Sequence, residues 1–221
     1  MSVRDCTHGG TGLCKEKLNQ KLDIYEYIVF VLVFFLFTVT ALLITPFVRL
    51  YTKGIVDTEY NQPLFGFLLV LSEALYLVKL PHLNLAYSAN KFKEITVPAY
   101  IEATLNIVIS VALVKKLGLI GVTIGTIVGM TYRMVFHVYY TSKIVPGRAQ
   151  RIFYRKLFLF AVGAGAGFAL CYKLLPLQNV TVGSWIVHAI FYCVVIGSIL
   201  LAISVLFFQN EMKFFAKYIK R

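Results

Sequence analysis

Ionisable and amide side chains interrupt three long apolar segments of this 221-residue chain. Glu102 and Asn106 lie in one such segment, and Arg133 and His137 lie in the next, each pair one helical turn apart. A charged side chain inside a membrane is costly, and where it persists it usually marks the route of a substrate or an ion. These residue types indicate binding and translocation of a charged ligand.

The preceding apolar segment adds a further acid and a further base. Glu73 lies near its middle, and Lys79 lies about two turns from its end. We expect these side chains to line one cavity open to the cytoplasm, whose candidate substrate-binding residues are Glu73, Lys79, Glu102, Asn106, Arg133 and His137. A local alternative stays open for four of them: Lys79 and Arg133 extend to the membrane interface, Glu102 pairs with a neighbouring helix, and His137 lies at the interface.

The composition is typical of a membrane protein. Hydrophobic residues make up 59% of the chain and charged residues 14%, with a mean hydropathy of +0.76, whereas a soluble domain has roughly 25% charged residues. The net charge of +12 does not indicate nucleic-acid binding, because the basic residues cluster at the ends of the apolar segments.

The hydropathy pattern predicts an all-α integral membrane protein with six transmembrane helices. Each predicted span approaches the ~20 residues that a helix needs to cross the hydrocarbon layer. A polar cytoplasmic N-terminal tail is expected over residues 1–25 and a basic cytoplasmic C-terminal tail over 209–221. A membrane domain lies between them (26–208), with predicted spans at 28–50, 64–86, 97–114, 117–140, 154–175 and 182–208. Pro81 predicts a kink in the second span.

The distribution of basic residues predicts that both termini are cytoplasmic. Of the 22 Lys and Arg residues, fifteen fall in the two tails and the second and fourth connections. Five fall in the other connections, and the remaining two, Lys79 and Arg133, lie inside spans. Cytoplasmic loops carry the excess of positive charge in membrane proteins.

Small residues recur at intervals of four in two of the predicted spans. Gly121, Gly125 and Gly129 form one row, and Gly163 and Gly167 form another. Such rows allow helix backbones to approach closely in lipid, so we expect these glycines to serve helix packing.

The sequence carries no motif for covalent chemistry. It contains no nucleophile elbow, metalloprotease motif, phosphate-binding loop or standard zinc spacing. We therefore expect no enzyme activity, no metal site and no cofactor, and coupling to H⁺ or Na⁺ is left open.

The stretch that contains the third and fourth spans resembles a known family. The segments are IEATLNI (101–107), VKKLGLIGVTIGT (114–126), TPFVRLYTKG (45–54), KFKE (91–94) and the pair Tyr132-Arg133. They resemble the C-terminal half of polysaccharide flippases of the O-antigen or teichuronic type, in the multidrug/oligosaccharidyl-lipid/polysaccharide exporter superfamily. The likeness covers about residues 25–143. Family members have Ala-Gly where this chain has Ala89-Asn90, and asparagine tolerates the left-handed conformation that glycine adopts there.

The resemblance implies one lobe of a two-lobed transporter with the fold of multidrug and toxic-compound extrusion proteins, working by alternating access. The implied substrate is a polyprenyl-pyrophosphate-linked oligosaccharide that crosses the cytoplasmic membrane for cell-surface polysaccharide synthesis. By position, Arg133 and Lys79 are assigned to the pyrophosphate, and Glu73, Glu102 and Asn106 to sugar or ion contacts. Family members have twelve or more spans, so the implied partners are the lipid bilayer, the lipid-linked oligosaccharide and a second six-helix lobe, as a separate chain or a second copy.

Two other functions remain open on the sequence. One is a lobe of an ion-coupled multidrug exporter, for which an acidic cavity is expected. The other is a membrane subunit without transport activity, or a truncated remnant of a transporter.

Overall fold

The computed structural model describes residues 12–55, 60–145, 147–177 and 180–219. These residues form eight α-helices and no β-strand, which confirms the all-helical prediction. The helices are α1 (Gly12–Tyr51), α2 (Pro63–Val78), α3 (Leu80–Ser88), α4 (Phe92–Leu117), α5 (Leu119–Ile144), α6 (Gln150–Leu174), α7 (Val182–Phe207) and α8 (Gln209–Ile219).

The part of the chain that the structure describes contains six segments long and apolar enough to cross a membrane. Five are single helices, and the second is formed by α2 and α3 together over Pro63–Ser88. The protein is therefore a multi-pass membrane protein, because helices of this length and hydropathy satisfy their own backbone groups in lipid.

The second segment is interrupted where the sequence predicts a kink. Helix α2 ends at Val78 and α3 begins at Leu80, with Lys79 as the residue between them. Proline has no amide hydrogen and its ring crowds the preceding turn, so Pro81 in the first turn of α3 prevents one continuous helix.

The first helix is much longer than predicted. It starts at Gly12, whereas residues 1–25 were expected to form a tail, and residues 1–11 lie outside the described part of the chain. Three residues of its first turns, Cys14, Leu18 and Leu22, are buried against residues of α3, α4 and α5. Their spacing of four places them on one helical face, and this packing explains why polar residues around them are helical.

The C-terminal segment also differs from the prediction. Residues 209–219 form α8 rather than a tail, and residues 220–221 lie outside the described part of the chain. Met212 of α8 packs against the main hydrophobic core, so the start of this helix is held to the bundle.

Short connections fix the arrangement around the predicted hairpin. Helices α4 and α5 are joined by Gly118 alone, whose φ of +57° favours glycine. Asn90, between α3 and α4, has a φ of 60°, so the chain adopts at this asparagine the left-handed conformation that the sequence predicts. The connections make α3, α4 and α5 neighbours at one end of the bundle, which we call the basal end.

Candidate functional site

Four of the six candidate binding residues meet inside the bundle, and we call this group the deep cluster: Lys79, Glu102, Arg133 and His137. Arg133 donates from a terminal guanidinium nitrogen to Glu102 Oε2 over 2.5 Å. The same oxygen lies 3.9 Å from Lys79 Nζ. Arg133 Nε lies 3.4 Å from His137 Nε2. The structure thus contains the Glu102–Arg133 ion pair expected between the antiparallel helices α4 and α5.

Burial divides the deep cluster into enclosed and accessible members. The side chain of Lys79 is 0% exposed, whereas the side chain of Arg133 is 17% exposed. Lys79 Nζ lies 4.4 Å from the ring centre of Tyr76 and 3.4 Å from Met130 Sδ. The sequence left two positions open for Lys79, one facing an open cavity and one at the membrane interface. The structure shows neither, because α2, α4 and α5 enclose the side chain.

The deep cluster carries more positive than negative charge. Two cations, Lys79 and Arg133, share the single carboxylate of Glu102. A buried charge is tolerated only when it is paired, so Glu102 is needed by both. The remaining positive charge can attract an anion, and Arg133 is the cation of this group that an anion can contact from outside.

Asn106 lies outside the deep cluster and joins α4 to α5. Its Oδ1 accepts hydrogen bonds from Ser110 Oγ at 3.0 Å and from Thr126 Oγ1 at 3.4 Å. The hydroxyl of Ser110 also reaches the backbone oxygen of Val122 at 3.3 Å. These contacts give Asn106 a place in helix packing, which sequence reasoning had not assigned to it.

Glu73 is the remaining candidate, and it is exposed on the surface of α2. Among the described residues it has no hydrogen bond or ion pair. It lies six positions before Lys79 and near the middle of the second membrane segment. Its carboxylate still acts electrostatically on the buried Lys79, so Glu73 is an exposed charge at the edge of the deep cluster.

The glycine row of α5 brings Glu102 next to Arg133. A Cβ atom at Gly129 would lie 3.0 Å from the backbone oxygen of Glu102, and one at Gly121 would lie 2.7 Å from the backbone carbon of Leu113. Such close approach leaves no room for a side chain. Since Gly129 precedes Arg133 by one turn, it lets the carboxylate of Glu102 reach the guanidinium.

The glycines of α6 pack in a similar way against α7. A Cβ atom at Gly163 would meet the side chain of Ile203, and one at Gly167 would lie 3.4 Å from Ile199. The structure thus places both predicted rows at contacts between neighbouring helices.

A second ionic group lies nearer the basal end, and sequence reasoning did not find it. We call it the end cluster: Asp23, Glu26, His82, Arg148 and Lys156. Lys156 Nζ lies 2.7 Å from Asp23 Oδ1 and 3.2 Å from Glu26 Oε2. Arg148 pairs with Glu26 and, at 3.2 Å, with Asp23. His82 Nε2 lies 3.2 Å from Glu26 Oε1.

The end cluster ties four parts of the chain together. Asp23 and Glu26 belong to α1, His82 to α3, Lys156 to α6, and Arg148 to the connection before α6. Glu26 and Lys156 are 0% and 1% exposed. Sequence reasoning had counted Arg148 and Lys156 as charges of one connection, had left Asp23 in the tail, and had assigned no role to Glu26 or His82. The available signal was the stripe of Leu18, Leu22, Glu26 and Phe30 at intervals of four.

The deep cluster and the end cluster are connected along α5. His82 Nδ1 lies 3.0 Å from Thr141 Oγ1, and Thr141 follows His137 by one turn. His137 Nδ1 is buried and has no hydrogen-bond partner among the described residues. Polar groups therefore extend from the membrane interior towards the basal end through the core of the bundle.

The described residues contain no group of three or more His, Cys, Asp and Glu side chains that could hold a metal ion. The arrangement they do contain is suited to electrostatic binding, since it presents a guanidinium supported by a buried carboxylate. Comparison with family models, curated proteins and solved structures found no match to this chain.

Proposed function

We propose that this chain is one six-helix lobe of a transporter that moves a lipid-linked oligosaccharide, carried on a polyprenyl pyrophosphate, across the cytoplasmic membrane by alternating access. The observation that carries the proposal is the deep cluster: two cations around one carboxylate in a multi-pass helical bundle, with Arg133 partly accessible. The resemblance of residues 101–126 to polysaccharide flippases supports the same class of substrate.

The chemistry of the deep cluster favours a pyrophosphate as the part of the substrate that is bound. A guanidinium presents several donors in a plane that matches phosphate oxygens. Arg133 uses one terminal nitrogen for Glu102, and its other amino group remains for an anion. Lys79 is enclosed, so we assign it the role of raising the local positive potential rather than of contacting the substrate.

A second six-helix lobe, as a separate chain or a second copy, completes the proposed transporter. Glu73 supports this part of the proposal, because an exposed carboxylate near the middle of a span is costly in lipid, even with the buried Lys79 in electrostatic range. Helix α4 is also unusually exposed. In its most apolar stretch 6% of the residues are buried, compared with 22–28% in the other spans.

We further propose that the basal end faces the cytoplasm. The excess of Lys and Arg in the two terminal segments and in the second and fourth connections supports this orientation. Both ionic clusters then lie towards the cytoplasm, where a lipid-linked oligosaccharide begins its passage.

One observation favours a second candidate function, a membrane subunit without transport activity. Lys79, Glu102 and His137 are buried, and Glu102 pairs with Arg133 inside the lobe. An ion pair of this kind is also found where charges serve only to fix helix packing. The experiment must therefore separate binding from structure.

Binding of a polyprenyl pyrophosphate to the purified chain tests the proposal. We expect Arg133→Gln to weaken binding by about tenfold, because a charge-assisted hydrogen bond is lost. Glu102 keeps Lys79 as its counter-ion in this variant, so the protein should fold. Arg155→Gln is the matched control, since Arg155 is exposed on α6.

Transport is measured by complementation of a flippase-deficient strain, with the chain expressed alone and together with a candidate second lobe. Equal binding by wild type and Arg133→Gln, with no complementation in either setting despite correct insertion, would favour the non-transporting subunit and overturn the proposal.

A further inference from the structure

A cleft runs between α2 and α6 on the side of α1 where both helices pack. It consists of a 570 Å³ cavity near the end of α1 and a 250 Å³ cavity deeper in the bundle. Both cavities are lined by Ala41, Phe67 and Phe168, so they lie directly next to each other. The cleft therefore leads from the end opposite the basal end into the membrane interior.

The deeper part of the cleft has the chemistry of hydrocarbon. Its lining includes the small residues Ala74, Ala164 and Gly165 together with aromatic rings. Thr38 also lines it, but its hydroxyl donates to the backbone oxygen of Phe34 at 2.5 Å. A Cβ atom at Gly165 would find no neighbouring atom within 4 Å, so the small residues here leave room that protein does not fill.

The outer part of the cleft ends at a single charged residue. Arg49 is the charged residue among those that line the two cavities. Its Nε donates to Asn61 Oδ1 over 2.8 Å, which orients the guanidinium. The described residues provide no acceptor for its two terminal amino groups, which are the atoms that bind phosphate oxygens in pairs.

We propose that this cleft binds an anionic phospholipid of the surrounding bilayer, with a hydrocarbon chain in the deeper cavity and the phosphate on Arg49. In a bilayer leaflet the phosphate of a lipid lies at the membrane surface and its hydrocarbon chains lie in the interior. The cleft has the same order, with Arg49 at its outer end and apolar residues in its deeper part. The site is separate from the ion pair of the proposed transport site, because no residue of α4 or α5, which carry Glu102 and Arg133, lines either cavity. Arg49 lies at the opposite end from the end cluster.

The single tryptophan of the chain provides a local reporter. Trp185 packs on Phe47 with ring centres 5.9 Å apart, and its Nε1 donates to the backbone oxygen of Leu43 at 3.3 Å. Both partners lie within one turn of Pro46, which lines the outer cavity. We therefore expect bromine atoms on the part of a lipid chain that passes through the outer cavity to quench the emission of Trp185.

The experiment compares quenching by brominated phosphatidylglycerol and brominated phosphatidylcholine with identical chains, in vesicles that contain the full chain. We expect quenching to show that the wild type binds phosphatidylglycerol about threefold or more tightly than phosphatidylcholine, because an exposed ion pair contributes a free energy of this size. Arg49→Gln should abolish this preference. Lys173→Gln, which removes an exposed charge at the same end of the bundle and outside the cleft lining, should retain it.

The apolar depth is tested separately with Gly165→Leu, which fills open space in the cleft. We expect this variant to lose most of the preference, because the hydrocarbon chain no longer fits. Gly183→Leu is the matched control, since a Cβ atom at Gly183 also meets no atom within 4 Å and Gly183 lies outside the cleft lining.

Three results would overturn the proposal: equal quenching by the two lipids in the wild type, equal loss of preference in Arg49→Gln and Lys173→Gln, or an unchanged preference in folded Gly165→Leu. Circular dichroism establishes that each variant is folded. None of these measurements depends on transport of a lipid-linked oligosaccharide.

Discussion

Glu102 holds the most consequential position among the individual residues of this protein. It is the shared counter-ion of Lys79 and Arg133, and it is buried between α4 and α5. Removal of one partner from a buried ionic group is far more costly than removal of the whole group. The same reasoning applies to Glu26, which is fully buried among Arg148, Lys156 and His82.

Glu102→Gln should lower the free energy of unfolding by about 3–5 kcal/mol, because it leaves the buried Lys79 and the partly exposed Arg133 without their shared counter-ion. The measurement is equilibrium unfolding in mixed micelles. Glu94→Gln is the control on the same helix: Glu94 is exposed and pairs with Lys91 at 3.5 Å, so its loss should cost less than about 1 kcal/mol. Equal effects of the two substitutions would show that the deep cluster does not stabilise the fold.

Among the elements, the α4–α5 hairpin depends most directly on its glycines. Its helices are joined by one residue and approach at Gly121, Gly125 and Gly129. In lipid there is little hydrophobic driving force between helices, so close backbone contact and hydrogen bonds such as those of Asn106 provide the association.

Gly125→Ala should destabilise the protein by about 1–3 kcal/mol, in the range of overpacking substitutions. Its Cβ would lie 2.9 Å from the backbone oxygen of Asn106 and 3.0 Å from the backbone nitrogen of Ser110, so the helices must separate. The thermal unfolding temperature in detergent measures this effect. Gly165→Ala is the control, and it should be neutral or stabilising by up to about 1 kcal/mol, because its Cβ meets open space. A fall in both unfolding temperatures would contradict the packing argument.

For the whole molecule, the main feature is the position of both ionic clusters towards one end of a six-span bundle. With an even number of spans, the two termini lie on the same side of the membrane. The count of basic residues in alternate connections then predicts which side that is.

Cysteine labelling tests this orientation in intact cells, in a background where the native cysteines are replaced by serine. We expect Lys116→Cys, at the end of α4, to react with a membrane-impermeant maleimide added outside. Lys143→Cys, near the end of α5, should react only after the membrane is permeabilised. The reverse pattern would place the basal end outside the cell and exclude a cytoplasmic approach of substrate to Arg133.

Much of the fold was predictable from the sequence for a local reason. A segment in lipid must satisfy its own backbone groups, so apolar length alone indicates a helix, and six such segments were predicted and found. The helix interruption near Pro81 and the left-handed conformation of Asn90 were predictable for the same reason. Proline disrupts a helix through its own ring, and asparagine adopts a positive φ more easily than other residues with side chains, so both effects are local. The extension of α1 to Gly12 was not predicted, since its polar residues become helical through packing of Leu18 and Leu22 on other helices.

The environment of each charge depended on the tertiary structure. Sequence alone placed Glu102 and Arg133 on facing helices, but the enclosure of Lys79 and the exposure of Glu73 follow from how α2 lies against α5. The end cluster joins Glu26 to Arg148, which are 122 positions apart, and its charges resemble ordinary loop charges along the chain. Apolar length and backbone geometry are properties of neighbouring residues, whereas burial and ion pairing arise only when distant segments meet.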